Sequence, residues 1–175
     1  MNAHARQVIQ AAKSMLDFPY RLGGWGGEHN DPPYGIDCRG FVQRAYKLGG
    51  AGDLDGPPQG NVRAMVKWAK DNNRFRGPEV TPGRAWDVFY CEATTKSEPG
   101  NPFHLRHVGL VLRPISPRYP KGKAISALNP VLDVRIHDLN LKGLAIYGYL
   151  EPDWAALDVV EPPMFDPEPP VGAVL

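Results

Sequence analysis

A thiol is among the side chains best suited to nucleophilic chemistry near neutral pH, and the chain has two cysteines, Cys38 and Cys91, with five histidines, His4, His29, His104, His107 and His137. Cys38 follows a Gly-rich loop and stands at the expected first turn of a helix. The unpaired N–H groups and dipole there favour negative charge, and Arg39 adds a positive one. The thiolate is the reactive form of cysteine, so this position predicts a thiol that ionises easily and is alkylated well below about pH 8. A small buried hydrophobe fits the same position equally well. Asp37 is explained by helix capping, because its carboxylate can accept a backbone N–H. A thiol nucleophile also needs a base. His4 lies near the terminus, and His29 and His104 lie in loops. His137 ends an alternating strand on its polar face and reads as solvated. His107 opens the apolar run His107-Val108-Gly109-Leu110-Val111-Leu112, where a rigid element would place it. A histidine satisfied at a sheet end is the plain alternative.

The elements that must position these residues are readable from apolar spacing. Val8, Ile9, Ala12, Met15 and Leu16 form one helical face, which predicts a helix over residues 5–16 that Pro19 ends. A second helix is expected from the Asp37 cap to Gly49-Gly50, and a third over about Asn61–Lys70. Five short β-branched or aromatic runs follow: Trp86–Cys91, His107–Leu112, Lys123–Leu128, Leu132–His137 and Leu144–Leu150. Helices first and strands after predict an α+β fold, with N-terminal helices packed on a central antiparallel sheet of about five strands. Residues 161–175 hold Pro162, Pro163, Pro167, Pro169 and Pro170, which predicts an extended or disordered tail or a strap over the surface.

Bulk properties narrow the function classes. At 175 residues, 42% hydrophobic and 22% charged, the chain suits one globular domain. A net charge of +1 gives no reason to expect nucleic-acid binding. No apolar run approaches the roughly 20 residues needed to span a bilayer, and the N-terminal residues lack the apolar stretch of a secretory signal. The expectations are therefore a monomer with no membrane span and no visible export route. Two cysteines exclude a disulfide-rich scaffold, although one Cys38–Cys91 disulfide stays open; Cys91 otherwise reads as inert and buried. No His/Cys/Asp cluster has metal-ligand spacing, so neither metal nor cofactor is expected.

Four blocks, in order, resemble the NlpC/P60 family of papain-like cysteine peptidases: Tyr20-Arg21-Leu22-Gly23-Gly24, Gly35-Ile36-Asp37-Cys38-Arg39-Gly40-Phe41-Val42-Gln43-Arg44, Pro82-Gly83-Arg84-Ala85-Trp86-Asp87-Val88-Phe89-Tyr90, and His107-Val108-Gly109-Leu110. The resemblance covers about residues 5–150 and implies a papain-like NlpC/P60 catalytic domain over 1–155, with a Pro-rich tail over 156–175. It implies a cysteine peptidase or amidase that hydrolyses peptidoglycan stem peptides or muropeptides, typically between D-glutamate and a diamino acid. Cys38 matches the nucleophile, His107 the general base, and Tyr20 a tyrosine whose hydroxyl lies near the nucleophile. The Cys38 backbone N–H would help bind an oxyanion. The site of action would be the cell wall or periplasm, or the chain would be delivered as a phage or secreted component.

Three departures stand out. Arg39 replaces the usual serine, and either narrows the cleft, meets an acidic stem peptide or points outward. Ser126, in Ile125-Ser126-Ala127, stands where a histidine, asparagine or glutamine orients the base. A hydroxyl accepts more weakly than either, and Asn129 is the substitute if the register shifts by three. The segments 92–106 and 113–122 are long for the family. These departures keep two other readings in play: an amidase or acyltransferase of the same fold on another substrate, and a catalytically impaired domain that binds wall peptides or a partner.

Overall fold

The structure is a computed structural model that describes residues 3–24, 35–50, 61–78, 88–93, 105–128, 133–139 and 144–150. Among the described residues, three helices precede the sheet: α1 (Ala3–Ser14), α2 (Cys38–Leu48) and α3 (Val62–Asp71). Six described strands follow, β1 (Phe75–Arg76), β2 (Val88–Ala93), β3 (Leu105–Arg113), β4 (Lys123–Ala127), β5 (Val134–His137) and β6 (Leu144–Leu150). They form one sheet in the order β1-β6-β2-β3-β4-β5, and every pairing is antiparallel. The expected α+β architecture is therefore present. The count of about five strands missed β1, whose two residues are too short to show a periodicity.

α1 stops two residues before the expected end. The amides of Met15 and Leu16 bond back three residues, to the Ala12 and Lys13 carbonyls at 3.3 and 3.2 Å, and Asp17 turns left-handed at φ 66°. Phe18 precedes Pro19, and the proline ring disfavours a helical residue before it. The released backbone docks on β5 instead: Asp17 N–H donates to the Val134 carbonyl, and Val134 N–H to the Phe18 carbonyl, each at 3.1 Å.

One face of the sheet carries Val108, Leu110, Ile125, Ala127 and Val134, all fully buried. They pack on Val8, Ala12 and Met15 from α1, Phe41, Val42 and Ala45 from α2, and Met65, Val66 and Ala69 from α3. This single cluster locks α2 to the centre of the sheet. On the other face Val111, Ala124, Leu139 and Tyr149 form a smaller cluster. Asn129, His29, His104, most of the Pro82–Tyr90 block and the tail 156–175 lie outside the described residues, as does the Cys91 side chain.

Candidate active site

Cys38 is the first residue of α2. Asp37 caps that helix through Oδ1, which accepts the Gly40 N–H at 2.7 Å, while Oδ2 accepts the Gly23 N–H at 3.1 Å. One carboxylate thus starts the helix and ties the preceding Gly-rich segment to it. Tyr20 and Ile36 form a parallel bridge across this loop, and Tyr20 N–H donates to Asp133 Oδ1 at 2.9 Å. The crossing is so tight that a Cβ on Gly24 would lie 2.6 Å from the Gly35 carbonyl oxygen. Arg39 does not point outward. Its Nη2 lies 3.8 Å from Asp37 Oδ2, and its side chain is 18% exposed.

The thiol is buried, with Cys38 at 8% exposure. Burial pushes its pKa up to about 11, and the Asp37 carboxylate adds to the rise. The backbone N–H groups of Val108 and Arg39 and the Arg39 charge act the other way and do not prevail. The expectation of an easily ionised thiol is therefore corrected: desolvation outweighs the helix terminus and the arginine. Burial also raises the Tyr20 hydroxyl, with Cys38 and then Asp37 as the charges that contribute next.

The sheet supplies the second half of the site. In β4–β5, Ala124 pairs with His137 and Ser126 with Arg135. In β3–β4, Val111 pairs with Ala124. Cross-strand partners and alternate residues share a face, so His107, Ser126 and His137 lie on one face. His137 is a diagonal neighbour of Ser126, within reach of a long side chain. The contacts follow: His107 Nε2 lies 2.8 Å from Ser126 Oγ, and Ser126 Oγ lies 2.7 Å from His137 Nε2. His137 Nδ1 lies 2.7 Å from the Asp138 carbonyl oxygen. Ser126 is fully buried and His107 is 5% exposed. Burial pushes the His107 pKa down to about 3, with His137 adding to the fall; burial also lowers His137. Both imidazoles are neutral at pH 7.

Two approaches meet at the start of β3. From α2, the thiol reaches the backbone N–H of Val108. From β4, Ser126 reaches the ring of the preceding residue, His107. The thiol therefore sits beside the Val108 backbone on the helix side of β3, and the imidazole belongs to the adjoining residue, on the face of Val111 and Ala124. No group of three or more metal-binding side chains occurs among the described residues, and no described helix is long and apolar enough to cross a membrane.

No family model matches the sequence, and no curated protein matches it. Solved structures do match in shape. RipB, a peptidoglycan hydrolase from Mycobacterium tuberculosis, is 20% identical with a TM-score of 0.56, covering 85% of this chain and 65% of its own. RipA, a protein that interacts with resuscitation-promoting factor, is 19% identical with a TM-score of 0.54, covering 85% and 62%. RipD from Mycobacterium tuberculosis, described as a non-catalytic NlpC/p60 domain protein adapted to peptidoglycan binding, is 18% identical with a TM-score of 0.55, covering 85% and 98%. The chain has the NlpC/P60 fold. It spans 62% of the RipA chain and 65% of the RipB chain.

On the NlpC/P60 fold, the structure brings Tyr20, Asp37, Cys38 and Arg39 together at the start of α2. It joins Ser126 to His107. Asn129, the substitute for Ser126, lies outside the described residues. Sequence reasoning missed His137, which reads as solvated but is half-buried and bonded to Ser126. The signal was present in the alternation of β4 and β5, which puts Ser126 and His137 on one face.

Proposed function

We propose that this chain is an NlpC/P60 cysteine hydrolase that cleaves peptidoglycan stem peptides, at the bond between D-glutamate and a diamino acid. The observation that carries the reading is the Cys38 thiol at the Asp37-capped start of α2, beside the backbone of Val108, with the His107–Ser126 pair one residue away along β3. Similarity of fold to a peptidoglycan hydrolase supports the substrate class.

The resting pair is a neutral thiol and a neutral imidazole, so proton transfer accompanies attack. Cys38 Sγ bonds to the scissile carbonyl carbon while its proton passes to His107 Nδ1, and the carbonyl electron pair moves to oxygen. The Cys38 backbone N–H and the Tyr20 hydroxyl stabilise that oxyanion. Collapse breaks the C–N bond, and the amine leaves with the proton from His107. Water, deprotonated by His107, then hydrolyses the thioester and returns the thiol. The cell wall is the site of action, residues 1–155 are the catalytic domain, and 156–175 are an appended tail.

A second reading is a wall-peptide-binding domain without turnover. The strongly raised thiol favours it, as does a non-catalytic neighbour of the same fold. Mass spectrometry of muropeptides after incubation separates the two. The hydrolase reading expects new fragments from the wild type and at least about a thousandfold fewer from Cys38→Ala. Equal cleavage by Cys38→Ala would remove the nucleophile assignment. Binding without cleavage by the wild type would establish the second reading.

A further inference from the structure

The contacts beyond His107 have a definite polarity. A carbonyl oxygen only accepts, so the bond at 2.7 Å to the Asp138 carbonyl places a hydrogen on His137 Nδ1. A neutral His137 then presents the lone pair of Nε2, which accepts the Ser126 hydroxyl hydrogen at 2.7 Å. That hydrogen is the only one Ser126 Oγ has, so towards His107 it is an acceptor, and His107 Nε2 must donate across the 2.8 Å contact. The basic lone pair of His107 is therefore at Nδ1.

We propose that His137 is a positioning residue for His107, acting through Ser126: the chain Asp138 carbonyl–His137–Ser126 selects the His107 tautomer whose Nδ1 can take a proton. The proposal deepens the hydrolase reading and rests on it for its catalytic meaning, although the tautomer itself does not. It also assigns a purpose to a serine at a place where one hydroxyl, able to turn either way, could not choose a tautomer unaided. His137 supplies the missing direction because its own Nδ1–H is anchored to backbone.

Protonation of His137 reverses the chain. Its Nε2 becomes a donor, Ser126 turns its hydrogen towards His107 Nε2, and the remaining His107 hydrogen moves to Nδ1. The groups facing His137 among the described residues include Lys123 on β4, which opposes protonation, Asp138 beside it, which favours it, and the His107 ring, whose centroid is 6.5 Å away. The polarity needed for base catalysis is thus the neutral form.

Imidazole nitrogen NMR on the full chain tests this without any assay of activity. The wild type should show His107 as the Nε2–H tautomer and His137 as the Nδ1–H tautomer at pH 7. His137→Ala should move His107 towards the Nδ1–H form, and His137→Gln, whose amide oxygen can accept the Ser126 hydrogen, should hold it at Nε2–H. If muropeptides are cleaved, kcat should fall about tenfold in His137→Ala with KM unchanged, recover in part in His137→Gln, and be insensitive to His137→Ala once Ser126→Ala is present. A wild-type His107 in the Nδ1–H form overturns the proposal even if no variant folds, as does an unchanged Nε2–H tautomer in a folded His137→Ala. The predicted tautomers in a chain that cleaves nothing would leave the relay standing and remove only the hydrolase reading.

Discussion

At Cys38 two opposing influences act on one sulfur, and their sizes decide the chemistry. The helix terminus, two backbone N–H groups and Arg39 draw the thiol towards ionisation, but burial and Asp37 hold it at about 11. Iodoacetamide should therefore alkylate Cys38 with a pH midpoint well above that of a free cysteine; a midpoint below about 8 would show that burial does not dominate. Asp37 can be tested separately. Asp37→Asn keeps an oxygen to accept the Gly40 N–H, because asparagine caps as well as aspartate, but it removes the charge. The Cys38 midpoint should then shift to lower pH, while the loss of one acceptor for Gly23 costs about 1 kcal/mol. An unchanged or higher midpoint would contradict the assigned role of the carboxylate. At Ser126 the expected effect is kinetic: Ser126→Ala should lower muropeptide turnover about 10- to 100-fold, and undiminished turnover would mean that His107 needs no orienting hydroxyl.

The elements place these residues, and much of that placement was legible. Apolar spacing found the three described helices, because each buries one stripe against the same cluster of Leu110, Ile125 and Val134. The Asp37 cap located the start of α2 to the residue. Period-two alternation also assigned His137 to the correct face. What it could not supply is whether that face is covered: near the end of β5 the polar face meets Ser126 instead of water. The two-residue β1 left no pattern to read. The Gly-rich crossing before α2 was legible as a loop but not as a clamp, since the approach of residues 21, 24, 35 and 36 depends on contacts between chain segments. Two glycines test that clamp. Gly35, at φ 76°, would place a Cβ 2.7 Å from the Arg21 Cβ and 2.8 Å from the Pro19 carbonyl oxygen. Gly23, at φ 77°, would meet nothing within 4 Å. Gly23→Ala should cost only the left-handed conformation, about 1 kcal/mol. Gly35→Ala adds the crowding and should cost at least about 3 kcal/mol, as measured by urea unfolding. Equal losses would mean the segments can separate freely.

For the whole molecule, the buried site groups make stability depend on pH at both ends. His107 has an ordinary value of 6.5 and a folded value of about 3. As pH falls, the unfolded chain takes the proton first, so stability is intact above 6.5, declines from there towards 3 and then levels for this group. His137, also lowered, acts in the same direction. Cys38 has the opposite sense. Its ordinary value of 9.0 rises to about 11 on folding, so as pH rises the unfolded chain releases the proton first, and stability is lost between those values. At about 1.4 kcal/mol per pH unit, His107 accounts for a loss on the order of 5 kcal/mol and Cys38 for about 3 kcal/mol. A domain is commonly stable by only about 5–15 kcal/mol, so the acid limb should bring the fold close to unfolding. Urea titrations at a series of pH values should give a plateau between 6.5 and 9.0 with a fall on each side. Cys38→Ala should flatten the alkaline fall and leave the acid fall unchanged, because its methyl group has no proton to release. A Cys38→Ala chain that still loses stability above pH 9.0 as steeply as the wild type would mean that the alkaline limb belongs to other groups and that the thiol is less deeply buried than the junction of α2 and β3 makes it.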